Sequence, residues 1–361
     1  MLPPGPASLC RLKLCVLALA AAPFAVGGQA VLGGVMMRAP RAMTVAVRRR
    51  DGSITLQEQS APAPESRPGV LRLPFVRGAV VLVESLKHGL SALRFSARCM
   101  EEDLAAEEAE RTGKAPEART SDEGPLSLVV SVALAVALFV ALPHALAWLT
   151  GQAAGGLPVD GFGFHLVDGL FKLGIFVGYL ALIGRIPEIT GVFRYHGAEH
   201  KSVHCQERGR PLVTTEAQQF STAHPRCGTS LLLWVVALSV FIFAGVLPML
   251  PPLSENPWLS NVGYVLIKVP LMFPLAGLAY ELQRLGARNP DGKLMRVLLS
   301  PGMRLQALTT RPPSDDEVEV ALVALRGALA LDGAARGMAT TVVEPRTRSF
   351  GGFAEATTAL G

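Results

Sequence analysis

Four long apolar stretches dominate the chain between residues 127 and 282, and each approaches the roughly 20 residues needed to cross a hydrocarbon core of about 30 Å. They run over 127–149 (SLVVSVALAVALFVALPHALAWL), 164–184, 229–250 and 260–282. The second carries Asp168 and Lys172, and the fourth carries Lys268, Pro270 and Pro274. These two are expected to face protein or a wet cavity rather than lipid. Ahead of them, residues 43–59 (MTVAVRRRDGSITLQEQ) alternate apolar and polar positions on either side of Asp51-Gly52, the pattern of a β-hairpin. Val26–Pro40 is too rich in glycine for a stable helix or strand. Glycine there lets backbone approach a ligand or another segment closely, or simply closes a tightly packed turn.

The segment after Pro74 (FVRGAVVLVESLKHGLSALRFSAR) has a helical pattern, with Arg77, Glu84, Lys87, His88 and Arg94 spread along it. Such a helix can lie on a membrane or pack under the spans. Residues 99–125 are acidic, Ala-rich and free of aromatics, which predicts a solvated helix or disordered linker. Ser314-Asp-Asp-Glu317 is a capping-box signature that opens a helix to about Leu331, with Val318, Val320, Leu322, Val323 and Leu325 to bury. The chain thus divides into an N-terminal extension (1–25), a Gly-rich, hairpin and amphipathic-helix region (26–98), the acidic linker (99–125) and a four-span membrane domain (127–284). A C-terminal helical region (285–332) and a disordered tail (333–361) follow. The expected fold is mainly α and integral to a membrane, with about four transmembrane helices and a small cytoplasmic α+β portion.

Composition supports the membrane assignment, because 361 residues that are 50% hydrophobic, with a mean hydropathy of +0.37, are too apolar for an ordinary soluble protein. Orientation follows from the basic residues. The loop 185–228 holds Arg185, Arg194, Lys201, Arg208, Arg210 and Arg226, whereas 150–163 and 251–259 hold no Lys or Arg. That loop is expected on the cytoplasmic side, and with four spans both termini are too. The net charge of +5 then reads as attraction to anionic membrane lipid, not as nucleic-acid binding. Arg11 and Lys13 before the apolar run Leu14–Val26 imitate a signal peptide, but cleavage there would export the most basic loop. Five cysteines in a long chain, without a CxxC pair, point to reduced thiols and exclude a zinc ribbon.

Chemistry concentrates in Tyr195–Ser230 (YHGAEHKSVHCQERGRPLVTTEAQQFSTAHPRCGTS), which holds four of the seven histidines and two cysteines. If Phe193–Gln206 is helical, His196, His200 and His204 share a face and Glu199 lies one step round. His196-Gly-Ala-Glu-His200 has the HxxEH spacing, in which two histidines ligate zinc and the glutamate accepts a proton from the attacking water. A tetrahedral divalent-metal site, zinc first, can draw on His196 or His200, His204, His224 and Cys227, with Glu199 as base. Glu281 is the best distant carboxylate to complete it, and Cys205 is a packing residue. Arg38, Arg77 and Arg226 can bind an anionic substrate such as a lipid phosphate. Histidines are also common at membrane interfaces, and Lys201 and Arg226 would repel a cation. The rival readings are a non-catalytic scaffold or a transporter using Asp168, Lys172 and Lys268, which would need homo-oligomerisation. A haem protein with paired histidines is a third.

Several segments together carry a resemblance: VGGQAVLGGVMMRAP (26–40), LPFVRGAVVLVESL (73–86), YHGAEHKSVHC (195–205), HPRCGTS (224–230), AYEL (279–282) and PGMRLQALTTRPPSDDEVEVA (301–321). They cover most of 26–330, and the chain resembles the YqhQ-like family of bacterial multipass membrane proteins, a domain of unknown function described as a predicted metal-dependent enzyme. The resemblance implies a multipass protein of the bacterial plasma (inner) membrane with a functional centre, and it supplies no substrate. This chain departs from the family at Gly33, where members carry glutamate. The resemblance begins at Val26, so the extension before it is expected to be dispensable.

Overall fold

The computed structural model describes residues 26–61, 68–73, 76–113, 125–153, 155–159, 161–250, 253–288, 293–335 and 345–361. The N-terminal extension and residues 114–124 of the expected linker lie outside the described residues. Strands β1 (Gly27–Val31), β2 (Gly34–Ala39), β3 (Ala42–Arg48) and β4 (Ile54–Ser60) are successive antiparallel neighbours, and β5 (Arg346–Phe350) completes the sheet beside β4. The expected hairpin is β3–β4, where Gly52 adopts φ +86° and Asp51 Oδ1 accepts the Ser53 N–H at 2.8 Å.

The Gly-rich segment forms β1 and β2, which corrects the expectation that it is too rich in glycine for a strand. Two of its glycines occupy positions where a side chain has no room: a Cβ on Gly28 would collide with the Met36 carbonyl, and one on Gly34 with the Ala46 carbonyl across the ladder. Gly33 turns the chain between the strands at φ +64°, a conformation strained for other residues. Alternation then buries both faces of the sheet. Val35, Met37, Ala39, Ala42 and Ala46 face one core, and Met36, Met43, Val45 and Val47 face the other.

In chain order the helices are α1 (Val76–Thr112), α2 (Pro125–Val136), which continues through a π turn at Ala137–Ala141 into α3 (Leu142–Ala153), α4 (Phe162–Ile183), α5 (Pro187–Glu207) and the single turn α6 (Thr214–Ala217). Then come α7 (Gly228–Val246), α8 (Pro257–Arg288), α9 (Lys293–Thr309), α10 (Asp315–Ala335) and α11 (Phe353–Leu360). Four helical spans, Val129–Ala153, Phe162–Ile183, Gly228–Val246 and Trp258–Gly286, are long and apolar enough to cross a membrane. They match the four apolar stretches read from the sequence.

Helix α1 joins the bundle to the sheet. Gly78 packs against Gly277 of α8, and Ala92, Phe95 and Cys99 pack on the sheet. The helix continues through its acidic part to Thr112, past the boundary expected at residue 99, because Arg49 ties Glu102 and Asp103 to the β3–β4 loop at 2.8 Å each. On the opposite face lies α10, buried at Val318 and from Val320 through Leu325. Glu317 Oε2 accepts from the N–H and the hydroxyl of Ser314 at 2.6 and 2.9 Å, so the capping signature does start this helix. The tail is also corrected. From Arg346 it is docked, with β5 paired to β4 and α11 packed on α10, because Phe350 and Ala356 enter the same core.

Between the spans, Lys268 Nζ of α8 donates to Asp168 Oδ2 of α4 at 2.5 Å and to His144 Nδ1 of α3 at 3.0 Å. With its Nδ1 accepting, His144 presents Nε2–H to Asn261 Oδ1, 3.0 Å away. Lys172 Nζ stands 3.9 Å from the same Asp168 oxygen. Asp168, Lys172 and Lys268 are buried, as expected for polar residues of the second and fourth stretches, and His144 of the first stretch is buried with them.

Candidate functional site

Pro187 starts α5 at its first turn, where a missing N–H costs nothing, and the helix carries His196, Glu199, His200 and His204. Gly197 lets the chain after α9 cross this helix closely, since a Cβ there would strike the Arg311 carbonyl. The loop after α6 returns along α5 and delivers His224 and Cys227 to the same face. Ring centroids of His196 and His200 lie 4.4 Å apart, those of His200 and His224 5.6 Å, and those of His204 and His224 4.4 Å.

Backbone carbonyls orient the imidazoles. Thr309 is the last residue of α9, so its carbonyl has no partner within the helix and accepts His196 Nδ1–H at 2.8 Å. The Thr222 carbonyl accepts His200 Nδ1–H at 2.5 Å. A carbonyl can only accept, so both rings carry a proton on Nδ1, and a ring in its neutral form then has its lone pair on Nε2. His196 Nε2 is 3.2 Å from Cys227 Sγ, and His200 Nε2 is 3.4 Å from Glu199 Oε2. Cys227 is the N-cap of α7, its sulfur accepting the Thr229 N–H at 3.4 Å.

The ligand-type residues fall into two sets. One ligand atom each from His196, His200 and Cys227 lies within 4.8 Å of the others, and the same holds for His204, Glu207 and His224. Each set is a group of donors that could hold a metal ion. Glu199 stays close to both: Gly28 of β1, which has no Cβ to block it, admits the Glu199 side chain against the β1–β2 hairpin. Burial pushes the His224 imidazole down, and the Glu199 charge partly offsets that. Burial likewise holds His204 down at about 4, which leaves both rings neutral near pH 7. The Arg226 guanidinium is pushed down by burial, again against Glu199.

The structure brings six of the expected residues together, namely Glu199, His196, His200, His204, His224 and Cys227. It sends the more distant ones elsewhere. Glu281 does not complete the cluster: it receives Arg77 through two hydrogen bonds of 2.6 and 2.5 Å and fastens α1 to α8. Arg38 donates to Glu84 at 2.9 Å. Arg226 pairs with Glu207 at the edge of the cluster. Lys201, expected to repel a cation, points away, with Nζ donating to the carbonyls of Gln218 and Phe220 at 2.7 Å each. Cys205 packs as expected, fully buried. Gly33, the departure from the family pattern, sits in the β1–β2 turn beside Val47 and Arg48.

Two residues escaped the sequence reading. Glu207 stands three positions after His204, a helical spacing that was available to find it. Gln306 left no local trace. Fully buried, its Oε1 accepts the His224 N–H at 2.8 Å, while its Nε2 donates to the His224 carbonyl and to Ser230 Oγ at the same distance.

An apolar four-span bundle capped by a sheet, with a histidine and cysteine cluster where the two meet, defines a helical membrane protein with a polar centre at one end of its spans. The chain belongs to the family described as "Protein of unknown function (DUF1385)", whose model matches residues 73–331. It is 31% identical over 318 residues to the "Uncharacterized protein YqhQ" of Bacillus subtilis (strain 168), an alignment that covers 86% of this chain and 94% of that protein. No solved structure matches it.

Proposed function

We propose that the protein is a metal-dependent hydrolase of the bacterial plasma membrane, with His196, His200 and Cys227 as zinc ligands and Glu199 as general base. The observation that supports this most is the pair of carbonyl-anchored imidazoles, with His196 Nε2 3.2 Å from the Cys227 sulfur and a ligand atom of each ring within 4.8 Å of it. Metal-ligating histidines are typically held in this way through their second nitrogen. Two imidazoles and a sulfur suit zinc in chemical softness and leave a coordination position open. When bound, the metal supplies Lewis acidity toward water and toward a carbonyl or phosphoryl oxygen.

The protein's own residues do the rest. Glu199 takes the proton from the attacking water and returns it to the leaving group. The Thr309 and Thr222 carbonyls fix the two rings so that neither must reorient during a turnover. In this reading the 185–228 loop and both termini face the cytoplasm, which the Lys and Arg distribution supports.

Metal analysis of the purified, detergent-solubilised protein tests the proposal. His200→Ala should lower zinc content, and Glu199→Gln should keep zinc while abolishing hydrolysis, since an amide cannot take the proton. Equal metal loss in both variants would defeat the role assignment. The buried Asp168, Lys172 and Lys268 favour a second reading, a transporter-like or scaffold module. That reading predicts a metal-free preparation.

A further inference from the structure

Inside the four spans, Asp168 Oδ1 and both ring nitrogens of His165 are buried without a hydrogen-bond partner among the described residues. The two residues are one turn apart on the same face of α4, and each is 1% exposed. Their polar neighbours are engaged with one another: Lys268 donates to Asp168 Oδ2 and to His144, and His144 donates to Asn261. A buried carboxylate oxygen and a bare imidazole are costly unless something bonds them. Water can donate to the oxygen and to one ring nitrogen and accept from the other.

The charges here are also out of balance. Two ammonium groups, Lys172 and Lys268, share the single Asp168 carboxylate, and all three residues are buried. Lys268 takes Oδ2 at 2.5 Å, while Lys172 is held off at 3.9 Å with its Nζ over the Phe243 ring, 5.1 Å from the centroid. An uncompensated cation within a bundle is costly, and release of one proton removes that cost. The remaining titratable neighbours are His144 from α3 and Tyr264 from α8. Helix α7 carries no titratable side chain, and α9 meets α4 through Leu305 and Leu308.

We infer that Lys172 is a proton-exchange site in the middle of the spans, served by Asp168, buried water and His165 from the end of the bundle opposite the histidine cluster. His165 lies in the first turn of α4, whereas Lys172 lies about 15 Å from the helix start, near the centre of a hydrocarbon core of about 30 Å. On release, the Lys172 ammonium hands a proton to the Asp168 carboxylate. The acid passes it from Oδ1 through water to one nitrogen of His165, and the ring gives up the proton on its other nitrogen. Lys172 is left a neutral amine and Asp168 is a carboxylate again; uptake reverses each transfer. Toward the histidine cluster the route is closed by the apolar core of Phe176, Leu180 and Leu305, so protons reach Lys172 from one end only. The inference stands independently of any metal in that cluster.

Electrometry on the full-length protein, in liposomes adsorbed to a solid-supported membrane, tests it. A rapid acid step in the bath should drive a brief charge displacement that decays to zero, because the proton moves partway across the membrane and stops. Lys172→Arg keeps the cation but cannot release a proton, so it should lose the displacement with Tm near that of the wild type. Lys172→Met should lose it as well, and it folds even where the larger guanidinium does not fit, since it removes the uncompensated cation. His165→Phe keeps an aromatic ring and should slow the displacement by roughly tenfold or more. A wild-type signal no larger than that of empty liposomes, or a displacement equal to wild type in either Lys172 variant, would overturn the site. An unchanged rate in His165→Phe would remove His165 from the route, and a sustained wild-type current would overturn the closed end.

Discussion

His196 Nε2 lies 3.2 Å from Cys227 Sγ although the two residues are 31 positions apart in the chain. The contact depends on three helices at once. α5 carries the histidine, the end of α9 fixes its ring through the Thr309 carbonyl, and Cys227 caps α7. The donors around the sulfur are therefore set by how the apolar helices pack, and a change in that packing should be felt in the centre.

Cys227→Ser should lower zinc affinity at least tenfold while leaving the fold intact. Serine is a good N-cap, so α7 keeps its start, but a hydroxyl is a much poorer zinc ligand than a thiolate. Competition with a chromophoric chelator measures this. Unchanged affinity would remove Cys227 from the ligand set.

Gln306→Leu should destabilise the protein by about 2–4 kcal/mol. The His224 N–H and carbonyl and the Ser230 hydroxyl are left buried without this partner, and each orphaned group costs about 1–3 kcal/mol, partly recovered by relaxation. Thermal or denaturant unfolding in detergent should show the loss. A difference of only a few tenths of a kcal/mol would mean that the clamp is dispensable.

Asp168→Asn should cost about 3–5 kcal/mol, because Lys268 is completely buried and loses its counter-charge. Adding Lys268→Met should recover most of that loss. If the single variant is as stable as the wild type, the pair does not hold α4 to α8.

Stability of the metal-free protein should fall as the pH is lowered from about 6.5 to about 4. Burial holds folded His204 at about 4 against an ordinary value of 6.5, so within this window the unfolded chain binds a proton that the folded chain refuses. The loss should level off below about 4. Burial lowers His224 as well and adds to the same slope. His204→Gln should flatten the decline, and an unchanged profile in that variant would place the pH dependence elsewhere.

The spans were legible because a hydrocarbon core imposes length and apolarity on each segment independently, and all four stretches found in the sequence are helical. The β3–β4 hairpin was legible for the same local reason, alternation broken by Asp51-Gly52. The β1–β2 hairpin was not, since its glycines look like strand breakers until Gly34 is seen against the Ala46 carbonyl and Gly28 against Glu199. Nor was the docked tail, whose few apolar residues acquire meaning only when Phe350 and Ala356 meet the core under α10.

The sequence by itself determined which residues of α5 share a face, because helical periodicity is a property of the segment alone. It also placed His224 and Cys227 just before the third span. Only the tertiary structure decided that the donors divide into two sets, that Glu207 joins one of them, and that Arg38, Arg77 and Arg226 lie on Glu84, Glu281 and Glu207. Those outcomes depend on carbonyls at helix ends and on ion pairs between distant segments. Such groups are present in every sequence, and packing selects which of them meet.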